Sequence, residues 1–137
     1  MSFWNREDIV WAAGLLEGEG CFHKHSQREH RLLVSVSTTD LDVAKKLQES
    51  FHLGTITKPS MDPRNNKGKQ PYLWSVQNSY DAAAIMFAVF PFMCSRRKKK
   101  IKELIANYVP PKPNGLGRRG KRKNFEGIEA ELATFVV

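Results

Sequence analysis

Cysteine is scarce in this chain: Cys21 and Cys94 are the only two, too few for a disulfide framework, and both read as buried thiols of a reducing compartment. Long hydrophobic runs are missing as well. The longest mainly apolar stretch, residues 82–94, is broken by Pro91 and falls short of the roughly 18 residues that point to a membrane span. No basic and apolar leader opens the sequence, so the expectation is a soluble, intracellular protein of cytoplasm, nucleoid or organelle, with no membrane partner. Acidic residues are sparse at one end only. Residues 1–95 carry ten Lys/Arg against ten Asp/Glu, whereas residues 96–137 carry twelve against four, so the whole net charge of +8 is C-terminal. Such local cationic density attracts a polyanion, and nucleic acid is the commoner one where no amphipathic or lipidated anchor exists.

The 137 residues suffice for one domain with a core and not for two. Asn5 can cap a helix whose first turn holds Glu7 and Asp8, carboxylates that suit the positive end of a helix dipole. Residues 9–16 are then apolar without a gap, and a helix apolar all round needs a second surface to cover it. Gly18 and Gly20 end it. Residues 21–26 and 31–39 read as a hairpin, with Leu32, Val34 and Val36 alternating against Arg31, Leu33, Ser35 and Ser37. Thr39 or Asp40 caps a helix through Phe51, with Ala44, Leu47 and Phe51 as its inner stripe. A second hairpin follows, residues 55–58 and 72–77, joined by a loop rich in Pro, Asn, Gly and Lys. Ser79 caps a helix that stops at Pro91, and a last helix sets Ile101, Leu104, Ile105 and Tyr108 at helical spacing. The expected fold class is α+β, in the order αββαββαα, over residues 1–108. Residues 109–137 form a basic tail that could end in a short helix.

Glu17 and Glu19 break a local rule: two carboxylates beside the negative end of a helix. Residues that do so without local compensation are where function is to be expected. A bound cation reverses the electrostatic sign, and Mg²⁺ takes oxygen ligands from one or two carboxylates together with phosphates. A structural zinc site is not expected from Cys21, His23, His25 and His30, which lack a second cysteine pair and a recognised ligand spacing.

The string Ala12-Ala13-Gly14-Leu15-Leu16-Glu17-Gly18-Glu19-Gly20, followed by Cys21-Phe22, resembles the LAGLIDADG motif of homing endonucleases. The resemblance implies that motif helices from two subunits pack together, here through Trp11, Gly14, Leu15, Glu17 and Gly18, and that the sheet faces DNA. It implies that Glu19, with the carbonyl of Gly18, binds catalytic Mg²⁺ or Mn²⁺. The family usually has Asp where this chain has Glu19, one methylene longer. The resemblance further places a polar residue beside the attacking water, here Thr38 at the end of the second strand. It also places a basic residue near the cut phosphates, Arg97 first and Arg96 second. Independently, Gly14 and Gly18 lie one helical turn apart, a device that lets two helices approach closely. With one motif per chain, only a two-fold dimer brings two such carboxylates together.

The strand face opposite the core carries His23, His25, Gln27, Arg31, Leu33, Ser35, Thr55, Thr57, Leu73, Ser75 and Gln77. A two-stranded ribbon fits the major groove, where such side chains read bases. Arg64, Lys67 and Lys69 of the loop, Lys98 and Lys100 of the last helix, and Arg118, Arg119 and Lys121 of the tail are expected on phosphates, which position without specifying. The resulting expectation is a homodimeric, metal-dependent enzyme, encoded in a mobile intron, that cuts both strands of a long near-palindromic DNA site. The alternative is a binding-only protein of the same fold, a DNA-binding regulator or a maturase whose partner is intron RNA.

Overall fold

The computed structural model describes residues 4–25, 28–59 and 68–108. In chain order they form α1 (Arg6–Glu19), β1 (Gly20–His25), β2 (Arg28–Thr38), α2 (Leu41–Phe51), β3 (Thr55–Thr57), β4 (Tyr72–Val76), α3 (Ser79–Val89), a short 3-10 turn (Phe90–Phe92) and α4 (Ser95–Ala106). The tail expected beyond residue 108, and Gln27, Arg64, Lys67, Arg118, Arg119 and Lys121, lie outside the described residues.

α1 starts where Asn5 accepts a hydrogen bond from the Glu7 amide at 2.7 Å. Ile9, Ala12, Ala13 and Leu16 form its buried stripe, spaced three and four residues apart as one helical face requires. The helix passes into β1 with no loop between them. Gly20 caps α1, donating its N–H to the Leu16 carbonyl, and is also the first strand residue. A Cβ at that position would lie 2.6 Å from Leu16 Cδ2, so only glycine allows the strand to leave so close to the helix.

All four strands join one antiparallel sheet in the order β1-β2-β4-β3. The two hairpins therefore meet through their second strands. Leu32, Val34 and Val36 of β2, Phe22 of β1, and Trp74 and Val76 of β4 are buried on one face. Helices α1, α2 and α3 cover that face with Leu16, Leu47, Phe51, Ile85 and Met86 among its core residues. Trp74 stacks on Phe51 at 5.8 Å, and Trp4 meets Phe51 edge-on at 5.2 Å. Both indole N–H groups find carbonyls, Trp74 on Leu53 at 3.0 Å and Trp4 on Phe51 at 2.8 Å, as buried indoles generally do.

Several expectations shift. Asn78, not Ser79, is the side-chain cap of α3, accepting from the Asp81 amide. Ser79 is the first residue of the helix, and its hydroxyl accepts instead from the Leu32 amide of β2 at 3.0 Å. A cap needs its oxygen one position before the helix, and either residue type could supply it. Of the two candidates before α2, Asp40 is the cap. The cysteines are exposed rather than buried. Cys21 falls on the outward side of β1 by strand alternation, and Cys94 precedes α4 in a connection that only its backbone ties down.

Candidate nucleic-acid interface

The sheet's other face is polar. Across it Cys21 pairs with Ser35, Ser35 with Ser75, and Ser75 with Thr55. His23 pairs with Leu33, and Ser37 with Leu73, which pairs with Thr57. Beyond a β-bulge after Lys24, His25 pairs with Arg28, so the register does not set it against Arg31, which keeps the parity of Leu33 and Ser35 along β2. Most of the expected reading surface is thus gathered by the register, which adds to it Cys21 and Ser37, neither of them among the expected base-reading residues. Both were recoverable from parity alone. Ser75, at the centre, is 7% exposed, so its hydroxyl lies at the floor of this surface. Gln77 and Lys69 are exposed beside it, outside the strands.

Thr38 behaves otherwise. Its parity is that of Val34 and Val36, on the side of the helices, and its hydroxyl accepts from the Asp40 amide at 3.1 Å to form the turn into α2. Ser37, one residue earlier, is the exposed hydroxyl at this end of β2.

The two carboxylates of the motif part company. Glu19 ends α1 exposed, and among the described residues its carboxylate has no hydrogen-bond or ion-pair partner. Gly18 before it is exposed, and its carbonyl belongs to the last turn, where the helix supplies no donor. Glu17 is occupied. Its Oε1 accepts from the Cys94 amide at 2.6 Å, and its Oε2 lies 3.7 Å from Arg97 Nε. Arg97 in turn donates from Nη1 to the Gly20 carbonyl at 2.6 Å and rests over the Phe22 ring at 5.8 Å.

An exposed carboxylate with no counter-charge, at the negative end of a helix, is a place that gains from a cation. Among the described residues no group of three or more His, Cys, Asp or Glu could hold a metal ion. One carboxylate plus carbonyl oxygens is an incomplete donor set, which suits Mg²⁺ or Mn²⁺ completed by water and phosphate.

The cationic residues of α4 divide. Arg97, the first candidate for the cut phosphates, is turned inward with 12% of its side chain exposed. Arg96 is exposed. Lys98 and Lys102 lie over the Phe90 ring at 5.5 and 5.8 Å. Lys100 is exposed and close enough to His23 for its charge to help hold that imidazole below the usual histidine pKa, after desolvation and with His25. Lys100 therefore flanks the polar sheet face, and Lys98 does not. Cys21 Sγ contacts His23 Nδ1 at 3.2 Å on the same face.

Among the described residues the outer face of α1 is open: a Cβ on Gly14 or on Gly18 would meet nothing within 4 Å, and Val10, one turn before Gly14, is 43% exposed. Trp11 and Leu15 flank this stripe half-buried, Trp11 beneath the Lys46 ammonium at 4.4 Å. Val10 was absent from the expected interface residues, although its spacing from Gly14 and Gly18 places it on that stripe.

No family model and no curated protein matches the sequence. Solved structures do. I-CvuI, a homing endonuclease solved in complex with a DNA target in the presence of Mg, is similar over 97% of this chain and 99% of that one, at 17% identity and TM-score 0.54. The group I intron-encoded homing endonuclease I-CeuI, complexed with DNA, is similar at 16% identity and TM-score 0.55 over 77% of this chain and 56% of its own. The LAGLIDADG meganuclease I-AabMI, bound to uncleaved DNA, gives 17% identity and TM-score 0.52 over 91% of this chain and 42% of that one. The chain has the LAGLIDADG homing-endonuclease fold. It spans just over half the length of I-CeuI and nearly all of I-CvuI. Within this fold Glu19 stands where α1 meets the sheet, and among the described residues the string 12–20 carries both the open helix face and a carboxylate without a partner.

Proposed function

We propose that two copies of this chain form a site-specific, divalent-metal-dependent DNA endonuclease that cuts both strands of a long, near-palindromic site. The carrying observation is the exposed Glu19, without a partner among the described residues, at the end of an α1 on whose outer face Gly14 and Gly18 meet no described residue. A two-fold pairing of the Val10, Gly14 and Gly18 stripes, with Trp11 and Leu15 beside it, sets the two Glu19 carboxylates near one axis. Glu19 and the Gly18 carbonyl would hold Mg²⁺ or Mn²⁺, which supplies Lewis acidity for phosphodiester hydrolysis. Arg96 is the basic side chain free to meet the phosphate at the cut, because Arg97 is engaged. Ser37 and Thr38 are the hydroxyls at the strand end nearest to the role of orienting water. Double-stranded DNA lies along the sheet. His23, His25, Arg31, Leu33, Ser35, Leu73, Thr55 and Thr57 read base edges, while Lys69 and Lys100 neutralise phosphates. That solved proteins of this fold are homing endonucleases in complex with DNA supports the reading.

The test is incubation of the full chain with a large randomised duplex library and Mg²⁺, followed by sequencing of the new ends. The expected result is one long consensus with two-fold symmetry, lost with chelator. In Glu19→Gln cleavage falls by about a hundredfold or more, the usual cost of deleting a group that stabilises transition-state charge. Retention of DNA or RNA without any new ends would favour the binding-only reading.

A further inference from the structure

α4 begins in a way that helix electrostatics disfavour. Its first turn holds Arg96, Arg97 and Lys98 and no acidic residue, and Cys94 before it gives no side-chain cap. α1 ends with the opposite fault, Glu17 and Glu19 in a last turn without a basic residue. The fold sets one fault against the other. Glu17 reaches 77 positions along the chain to the Cys94 amide, so the acid missing from the start of α4 arrives from the end of α1. Arg97 returns the favour to the end of α1, lying 3.7 Å from Glu17 and donating to the Gly20 carbonyl.

We infer that Glu17 and Arg97 are positioning residues for Glu19, clamping the end of α1 to the start of α4 so that the carboxylate and the cationic face of Arg96 and Lys100 keep one relative placement. Glu17 lies two residues before Glu19, and Gly20 directly after it. The clamp thus holds the chain on both sides of Glu19, by the Glu17 side chain before it and the Gly20 carbonyl after it, while touching neither its carboxylate nor the polar sheet face. Phe22 under the guanidinium limits where Arg97 can go. The arrangement is stiff because neither charge is well hydrated, the side chains being 12% and 28% exposed, and loss of one leaves the other short of a partner. This role rests on the endonuclease reading, since it concerns the placement of the metal-binding carboxylate.

The experiment follows single-turnover cleavage of the selected DNA site by the full chain across a Mg²⁺ titration. It compares wild type, Glu17→Gln, Arg97→Gln and the double variant, with DNA affinity measured in Ca²⁺ and folding by thermal melt. Each single variant is expected to raise the Mg²⁺ midpoint by about tenfold, as outer partners of metal ligands do, with DNA affinity little changed. The double variant should be no worse than either single one, because the two residues form one clamp. Additive losses, an unshifted Mg²⁺ midpoint, or a loss of DNA affinity confined to Arg97→Gln would overturn the inference and put Arg97 on the DNA. Should Arg97→Gln fail to fold, Glu17→Gln keeps an acceptor for the Cys94 amide and carries the test alone. A wild type that cuts no duplex at any Mg²⁺ concentration defeats the endonuclease reading and this role with it. A cutting wild type with indifferent variants defeats this role only.

Discussion

Glu17 and Glu19 are the same residue type, two positions apart at the same unfavourable helix end, and they have different surroundings. Glu17 finds an amide and a guanidinium, whereas Glu19 has no partner among the described residues. The same division separates neighbouring lysines. Lys100 stands beside His23, and Lys98 lies over Phe90, so Lys100→Ala is expected to weaken binding to all DNA sequences alike and to lower the salt dependence by about one counterion. Lys98→Ala should leave both nearly unchanged, and filter-binding or anisotropy titrations at several salt concentrations distinguish them. His23 gives a pH dependence of known sign. Desolvation, then Lys100 and His25, hold its folded-state pKa below the usual 6.5. The unfolded chain therefore takes up the proton first, and the stability tied to neutral His23 is present above that range and lost as pH falls through it. Thermal melts between about pH 5 and about pH 7.5, the window in which histidine titrates, should show wild type losing more on acidification than His23→Gln. Equal slopes would contradict the assignment.

α1 is the element with an unfilled demand. Its inner stripe is buried by the chain itself, while on the outer stripe a Cβ at Gly14 or Gly18 would meet no described residue and Val10 is 43% exposed. The sign of Gly14→Ala decides whether a second copy covers it. On a free helix face with open space, alanine is favoured over glycine by about 0.8–1 kcal/mol, so a monomer would be stabilised. Against a closely approaching partner helix the added methyl forces the pair apart, and the expected outcome is a weaker dimer by sedimentation and a lower melting temperature. For the strands, alternation is what makes the faces legible, and it assigned His23, Leu33, Ser35, Thr55, Thr57, Leu73 and Ser75 correctly to the side away from the helices. By the same alternation Thr38 shares the parity of Val34 and Val36 and forms the turn into α2, while Ser37 is the exposed hydroxyl at that strand end.

At the scale of the molecule, no helix among the described residues is long and apolar enough to cross a membrane. The charge asymmetry argues for DNA along the C-terminal half. Residues 109–137 contain Lys112, Arg118, Arg119, Lys121, Arg122 and Lys123. A chain ending at Tyr108 is expected to bind its site with a log-log salt slope shallower by up to roughly five, at about 0.9 for each phosphate that the tail no longer neutralises, with the base preference unchanged. An unaltered slope would place the tail away from the DNA.

Much was determined by the sequence itself, because it depends on neighbours along the chain. The helix cap at Asn5, the period-two strands, the stripe of Ala44, Leu47 and Phe51, and the motif with its misplaced carboxylates all follow from spacing and residue type. Other features depend on groups far apart in sequence, and only the tertiary structure decided them. The joining of the hairpins through β2 and β4, the use of Ser79 on Leu32, the exposure of Cys94, and the engagement of Glu17 and Arg97 are of this second kind. An isolated helix end shows that a charge is badly placed, but the compensating charge on another helix becomes a neighbour only when the chain has folded.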